Sequence, residues 1–360
     1  MQIAILGSGN GGCAMAFDFS QHGHTVRIFD FEQFTENTTA ISQNGGIHSE
    51  GQLEGFAAVD YAGTDLAHVL DGAEMIFAVG PAYSTGPFAD ACKPHLRSGQ
   101  MVVICPSSCG GSFEFVKASG IDLENDGIIV AETSTLPYAV RITEPGKIRV
   151  FLKLKAGVFL SAYPAKHTAQ VLNRISDVYP CIAPATNVLQ TSLQNGNPVI
   201  HPAVTLLNAA LIERTGGDLL FYEEGVTPAV GRLMAAIDEE RIAIGNKLGL
   251  KIIPDPELGC LQGYMQVANY DEGFSTARGF AGIKAQQKLD NRYFQEDVGF
   301  GLVFLKSLGE QLDVDVSNIS ALIRVVSVVM DRDYLAEAPR TMSRYGLSKH
   351  SAEELSGVLA

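Results

Sequence analysis

The spacing of apolar positions changes character once along this chain, and the change divides it. Up to about residue 165, short apolar runs recur at 2–6, 26–29, 75–79, 101–105 and 127–131, with further strand-like runs at 149–152 and 157–160. Unalternating runs of that length are the mark of strands buried on both faces of a parallel sheet. Helix-forming segments separate them, at 31–44, 66–70, 84–96, 113–118 and 167–179, and the glycine-bearing stretch 45–60 reads as a hairpin. From Val188 onward the period lengthens to that of helices. Val230, Leu233, Met234, Ile237, Arg241, Ile244 and Leu248 share one helical face, opened by Thr227-Pro228 and stopped by Gly249. Leu302, Leu305, Leu308 and Leu312 make a second stripe; Ile319, Leu322, Ile323, Val326 and Met330 make a third. These stripes suit a core or a subunit interface, which leaves a homodimer open. The polar, weakly periodic stretch 259–292 reads as loops over a cleft. The pattern predicts a Rossmann-type α/β domain, a doubly wound parallel sheet, over residues 1–183. An all-helical domain follows over 184–360, with the boundary in the proline-punctuated region 180–187.

The first strand breaks into Gly7-Ser8-Gly9-Asn10-Gly11-Gly12, after which helix-forming residues resume, and the second apolar run ends on Asp30. In such a turn Gly7 permits the tight bend, Gly9 lets backbone approach a pyrophosphate, and Gly12 lets the helix lie close to the sheet. Free N–H groups at the helix start hold a diphosphate. A carboxylate at Asp30 accepts hydrogen bonds from the adenosine ribose. It would repel a 2′-phosphate, and no Arg or Lys follows in Phe31-Glu32-Gln33, so NAD is favoured over NADP. Gly80-Pro81-Ala82 ends the strand at 75–79, where a loop would meet the nicotinamide half. The predicted cofactor set is therefore Gly7, Gly9, Asn10, Gly12, Asp30 and Pro81.

Composition narrows the partners. A formal charge of −14 opposes nucleic acid and offers no polybasic membrane patch, so an anionic substrate needs a locally placed cation. The six cysteines form no CxxC pair and read as free thiols of a reducing compartment, not as metal ligands. With no leader-like start and no apolar run of membrane-spanning length, a cytoplasmic protein is expected.

Of the eight histidines, His201 has distinctive surroundings. Asn195-Gly196-Asn197-Pro198-Val199-Ile200-His201-Pro202 reads as a polar turn entering a helix, with Pro202 at the first helical position and His201 at the helix start. The helix dipole there disfavours an imidazolium, whereas a nearby carboxylate favours it. Asp297 reads as the cap of the leucine-striped helix, or as the carboxylate that holds an imidazole tautomer. Arg292 is a natural fork for a substrate carboxylate or, equally, a solvated surface arginine.

The order of these segments resembles the octopine/opine dehydrogenase family, and in particular the bacterial N-(1-carboxyethyl)-amino-acid dehydrogenases. The resemblance is carried by the Gly7–Gly12 turn, Glu132-Thr133-Ser134 with Pro137-Tyr138, and the 195–202 turn followed by Thr205-Leu206-Leu207-Asn208. It continues through Phe221-Tyr222-Glu223-Glu224-Gly225, Arg292-Tyr293-Phe294, Glu296-Asp297-Val298 and Gly301-Leu302-Val303. It implies NAD(P)H-dependent reductive condensation of a 2-oxo acid such as pyruvate with the amine of an amino acid, by way of an imine. It further implies a His201–Asp297 proton-handling pair, with Arg292, Asn197 and Tyr138 at the substrates. The chain departs from the family in having Cys105-Pro106-Ser107-Ser108-Cys109-Gly110-Gly111 where relatives carry Asn-Pro-Gly before a Thr-Gly-Gly loop. It also has a longer, more basic 283–290 segment. The competing architecture-level readings are a reductase of a small oxo acid or sugar phosphate, resembling ketopantoate reductase or glycerol-3-phosphate dehydrogenase, and a non-catalytic dinucleotide sensor. The reductases rely on a lysine in the helical domain, and none lies between residues 167 and 246 here.

Overall fold

In the computed structural model, which describes all 360 residues, the chain forms two units. The first comprises Met1–Ser107, Gly111–Thr191 and Leu359–Ala360; the second comprises Ser108–Gly110 and Ser192–Val358. Relative to a boundary at 183/184, the chain crosses later, after Thr191, and three residues of an earlier loop belong with the helical unit.

Twelve strands lie in the first unit: β1 (Gln2–Leu6), β2 (Thr25–Phe29), β3 (Gly46–Gly51), β4 (Gly55–Ala58), β5 (Tyr61–Gly63), β6 (Met75–Ala78), β7 (Met101–Ile104), β8 (Ile129–Thr133), β9 (Tyr138–Glu144), β10 (Lys147–Lys153), β11 (Phe159–Tyr163) and β12 (Ala183–Pro184). Eight of them form one sheet in the order β12-β11-β8-β7-β6-β1-β2-β5. All its pairings are parallel except that of β11 with β8. Strand direction of progression reverses at β1, with β2 on one side and β6 on the other. That reversal opens the crevice at the carboxyl ends of the strands where ligands of such sheets bind. The helices α1 (Asn10–Gln21), α2 (Thr35–Asn44), α3 (Leu66–Leu70), α4 (Thr85–Cys92), α5 (Gly111–Ser119) and α6 (Thr168–Ile175) accompany these strands. Ile3, Ile5, Phe77 and Val103 are buried because the sheet is covered on both faces.

The expected hairpin is β3 with β4, but it belongs to a separate four-stranded sheet, β4-β3-β10-β9. Its member β9 is a strand that no apolar run announces. Its exposed positions Arg141 and Thr143, which share one face, are polar, as expected of a strand solvated on that face.

The second unit is helical: α7 (Val188–Leu193) leads into it, followed by α8 (Asn197–Leu207), α9 (Ala209–Thr215), α10 (Pro228–Lys247), α11 (Asp255–Gln262), α12 (Glu272–Ser275), α13 (Arg292–Gln295), a π-helical turn Asp297–Leu302, α14 (Val303–Gln311) and α15 (Ser317–Val329). Thr227 caps α10 as read, its side chain accepting from the Val230 N–H. The stripe position Arg241 is fully buried, with Nε 2.5 Å from Asp238 Oδ1 and the guanidinium also donating to the carbonyls of Leu193 and Ile253. A buried charge is tolerable only with this complete a set of partners. The arginine thereby ties the segment entering α8 to α10.

Candidate active site

The nucleotide turn has the geometry its glycines suggest. Gly7 has φ +105°, and a Cβ there would stand 2.2 Å from the Val79 carbonyl oxygen; a Cβ on Gly12 would stand 1.8 Å from that of Gly7. Both positions exclude side chains because strand and helix meet there. Gly9 instead faces open space, which suits backbone approached by a ligand. The first hydrogen bond of α1 runs from the Cys13 N–H to the Gly9 carbonyl. The preceding N–H groups at Asn10, Gly11 and Gly12 therefore remain for an anion.

Asp30 is buried, and its Oδ2 accepts both the Ser8 N–H and the Ser8 hydroxyl at 2.7 Å, while Oδ1 accepts the Phe31 N–H at 2.9 Å. It thus stitches the end of β2 to the glycine turn and keeps lone-pair capacity on Oδ1 for a ribose hydroxyl. Pro81 follows β6 and opens the single helical turn Ala82–Ser84, its carbonyl accepting from Ser84 Oγ at 2.8 Å. The Asn10 side chain also pins the turn to β9, its Oδ1 accepting the Ile142 N–H at 2.7 Å. One sequence expectation needs correction here. Tyr138 is not a substrate contact. It is buried in the first unit with its hydroxyl 2.5 Å from Asp18 Oδ2 and 2.6 Å from the Tyr179 hydroxyl, and Lys153 completes the cluster through Asp18.

In the second unit α8 begins earlier than the sequence suggests. Pro198, not Pro202, occupies its first turn, so His201 lies inside the helix and not at its dipolar end. Asp297 likewise is no helix cap: it opens the π-helical turn and makes no capping bond. Its carboxylate goes instead to the imidazole, with Asp297 Oδ2 2.8 Å from His201 Nδ1 and both residues about 95% buried. The close approach of the two segments has a visible cause. A Cβ on Gly301 would stand 2.5 Å from Pro198 Cγ, so glycine lets the π turn press against α8. π turns frequently occur where a functional side chain must be re-aimed.

The imidazole is enclosed on its other sides. Its Nε2 is 3.2 Å from the Tyr222 hydroxyl, and the Tyr293 ring stacks on it at 4.1 Å and 24°. Burial, then the neighbouring Tyr293, drives the Tyr222 phenol well above its ordinary value, so it is a neutral O–H donor. Arg292 is exposed, lies over the Tyr293 ring at 5.7 Å and pairs with no carboxylate within 4.0 Å. Asn197 opens α8 half-buried, its N–H donating to Asn195 Oδ1 at 3.2 Å.

Further residues support this arrangement, among them Arg340 and Asp255, which the sequence does not mark. Ser108 and Cys109 both hold positive φ, 48° and 66°, followed by Gly110 at 70°. The strained loop is held in place by Arg340 Nη1 donating to the Ser108 and Cys109 carbonyls at 3.0 and 2.6 Å, and by Ser108 Oγ donating to Glu296 Oε1 at 2.9 Å. Behind α8, Asp255 Oδ1 lies against the Gly196 backbone, where a Cβ would meet it at 1.5 Å. Lys284, of the basic segment, makes an exposed ion pair with Asp218 at 2.7 Å. No group of three or more His, Cys, Asp or Glu is placed to hold a metal ion, and no helix is long and apolar enough to cross a membrane.

Comparison with known proteins agrees with this division. Residues 184–330 match the family model of the NAD/NADP octopine/nopaline dehydrogenase α-helical domain, and residues 2–107 match that of the NAD-dependent glycerol-3-phosphate dehydrogenase N-terminus. Among solved structures, an octopine dehydrogenase in complex with NADH and agmatine shares the fold, with a TM-score of 0.81 at 18% identity over 99% of this chain and 98% of that one. The protein ocs of Agrobacterium tumefaciens (strain Ach5) is 25% identical over 98% of both chains. An opine dehydrogenase of Arthrobacter sp. (strain 1C) is 34% identical over 349 residues, covering 96% of this chain and 95% of that protein. On that likeness across almost its whole length, the chain belongs to the octopine/opine dehydrogenase family of NAD(P)-dependent oxidoreductases.

Proposed function

We propose that His201, held by Asp297, handles the protons of the reductive condensation performed by this opine dehydrogenase. In that reaction a 2-oxo acid and the amine of an amino acid form an imine, which is reduced to an N-carboxyalkyl amino acid. The observation that carries the proposal is the 2.8 Å contact between His201 and Asp297, which are 96 residues apart in sequence. With Nδ1–H donating to the carboxylate, the tautomer is fixed and the ring is held in one orientation. Condensation requires a proton for the departing hydroxyl, and the imidazolium is its source. In the oxidative direction the neutral ring accepts a proton. Arg292, whose fork lacks a carboxylate partner, is suited to neutralise the carboxylate of the 2-oxo acid. Asn197 adds an amide at the start of α8, the helix that carries His201, and Arg292 supplies the cation. Such a cation answers the global charge of −14, which otherwise repels anionic substrates.

The first unit fits a dinucleotide at the open Gly9 backbone and the α1 N–H groups, and a bound nicotinamide supplies the hydride. Asp30 favours NAD over NADP, because its buried carboxylate would face a 2′-phosphate with no cation nearby in 31–33. The unpaired state of all six cysteines suits a cytoplasmic enzyme. The test of the reaction class is a screen of NADH oxidation with pyruvate and other 2-oxo acids against a panel of amino acids. Turnover is expected only when both are present, and turnover at full rate with the oxo acid alone would contradict the assignment.

A further inference from the structure

His201 has two ring nitrogens, and neither is vacant. Asp297 occupies Nδ1 and the Tyr222 hydroxyl occupies Nε2, while Tyr293 covers a face of the ring. Because the Asp297 carboxylate fixes the proton on Nδ1, Nε2 is the nitrogen through which the imidazole must exchange its other proton. That path ends on Tyr222. We propose that Tyr222 is a proton relay, carrying the proton between His201 Nε2 and the reacting group through its hydroxyl. The inference rests on His201 being the proton-handling residue.

The step balances without ionising the tyrosine. Starting from the imidazolium, Nε2–H donates to Tyr222 Oη while the Tyr222 O–H donates to the substrate oxygen. As the substrate O–H bond forms, the Tyr222 O–H bond breaks, and the Nε2 proton moves onto Oη. The imidazole ends neutral, the tyrosine ends as it began, and one proton has reached the substrate. The reverse sequence serves amine oxidation. Burial of the phenol makes a free phenolate costly, which favours passing the two protons together over leaving the tyrosine charged.

The hydroxyl is held in place. The Tyr222 ring stacks on Phe280 at 4.3 Å and 17°, Phe221 meets it edge-on at 5.0 Å, and Phe274 lies parallel at 6.4 Å. Backbone bonds clamp the segment to the 283–285 stretch: the Phe221 N–H donates to the Ile283 carbonyl and the Ala285 N–H to that of Leu219, both at 2.8 Å. Swinging the phenol off Nε2 would unstack this aromatic cluster. Tyr222 is therefore fixed where its hydroxyl can pass a proton between Nε2 and the substrate, and no motif in the sequence marks it as more than part of Phe221-Tyr222-Glu223.

The test uses the full-length enzyme with NADH, pyruvate and the amino acid turned over fastest in the panel. Tyr222→Phe keeps the stacked ring and removes only the hydroxyl. The expected result is a fall in kcat of about tenfold or more, with KM for NADH and pyruvate within about threefold of wild type. A smaller fall in kcat overturns the relay and means that His201 meets the substrate directly. Should the variant fail to fold, the wild-type proton inventory in mixed light and heavy water decides. A bowed dependence of kcat reports two protons moving together and supports the relay; a straight one overturns it. His201→Asn separates the two layers. If it abolishes turnover while Tyr222→Phe is silent, only the relay fails. If it leaves turnover intact, the underlying assignment fails as well.

Discussion

Three buried carboxylates, Asp30, Asp297 and Asp255, illustrate how partners decide what a group can do. Asp30 satisfies a turn, Asp297 satisfies an imidazole, and Asp255 presses its Oδ1 against the Gly196 backbone with another carboxylate, Asp238, close by. Burial first, then the Asp238 charge, raises the Asp255 carboxyl to about 7. An unfolded aspartate titrates near pH 4. Between roughly pH 4 and 7 the folded chain thus holds a proton that the unfolded chain has lost, so this group's contribution to stability falls as pH rises through that window. Asp255→Asn abolishes the ionisation. Its Tm relative to wild type should be higher at pH 8 than at pH 5 by about 3 °C or more, and an equal offset at both pH values would contradict the assignment. The sequence alone pointed to His201 because eight histidines can be weighed one by one, and to Asp297 and Arg292 because they lie together just before a leucine-striped helix and in the order of the family's motifs. It did not reveal Tyr222 or Arg340, since a tyrosine or arginine in a mixed segment carries no periodic signal of its partners. For Tyr138 the residue was legible but its surroundings were not. Only the fold brings it to Asp18 and Tyr179.

At the scale of elements, six strands of the main sheet (β1, β2, β6, β7, β8 and β11) and the long helix α10 were plain in the sequence because each carries its own period or stop signals, whereas the two- and three-residue edge strands β12 and β5 are too short to carry one. The π-helical turn was not, for a reason of physics: a π turn differs from an α turn by one residue of register and leaves the apolar stripe almost unchanged. The start of α8 was misread by one turn because two prolines, Pro198 and Pro202, both fit a first-turn position. The earlier one wins, and Pro202 then lies inside the helix, where it can donate no hydrogen bond. These two displaced boundaries together produce the His201–Asp297 contact. Gly301 is the hinge of that argument, since any side chain there collides with Pro198. Gly301→Ala is expected to lower stability by about 1–3 kcal/mol and to reduce kcat while leaving His201 and Asp297 themselves intact. Wild-type kcat in this variant would show that the π turn need not press on α8.

For the whole molecule, the two-unit plan was readable from the change of period near Val188, and the family from several motifs in a fixed order. The exchange of Ser108–Gly110 into the helical unit was not readable, because it depends on Arg340, more than two hundred residues away, reaching the carbonyls of that loop. The cofactor prediction belongs at this scale, since it sets one buried carboxylate against a cation-poor surface. kcat/KM with NADH should exceed that with NADPH by about tenfold or more, the value of roughly 1.4 kcal/mol of discrimination, and parity would show that Asp30 does not face the ribose. The most direct test of the account is steady-state turnover of His201→Asn with NADH, pyruvate and the preferred amino acid, with NADH binding measured alongside. We predict a loss in kcat of about a hundredfold or more with NADH affinity unchanged. Turnover equal to wild type would contradict the assignment of proton transfer to the buried imidazole.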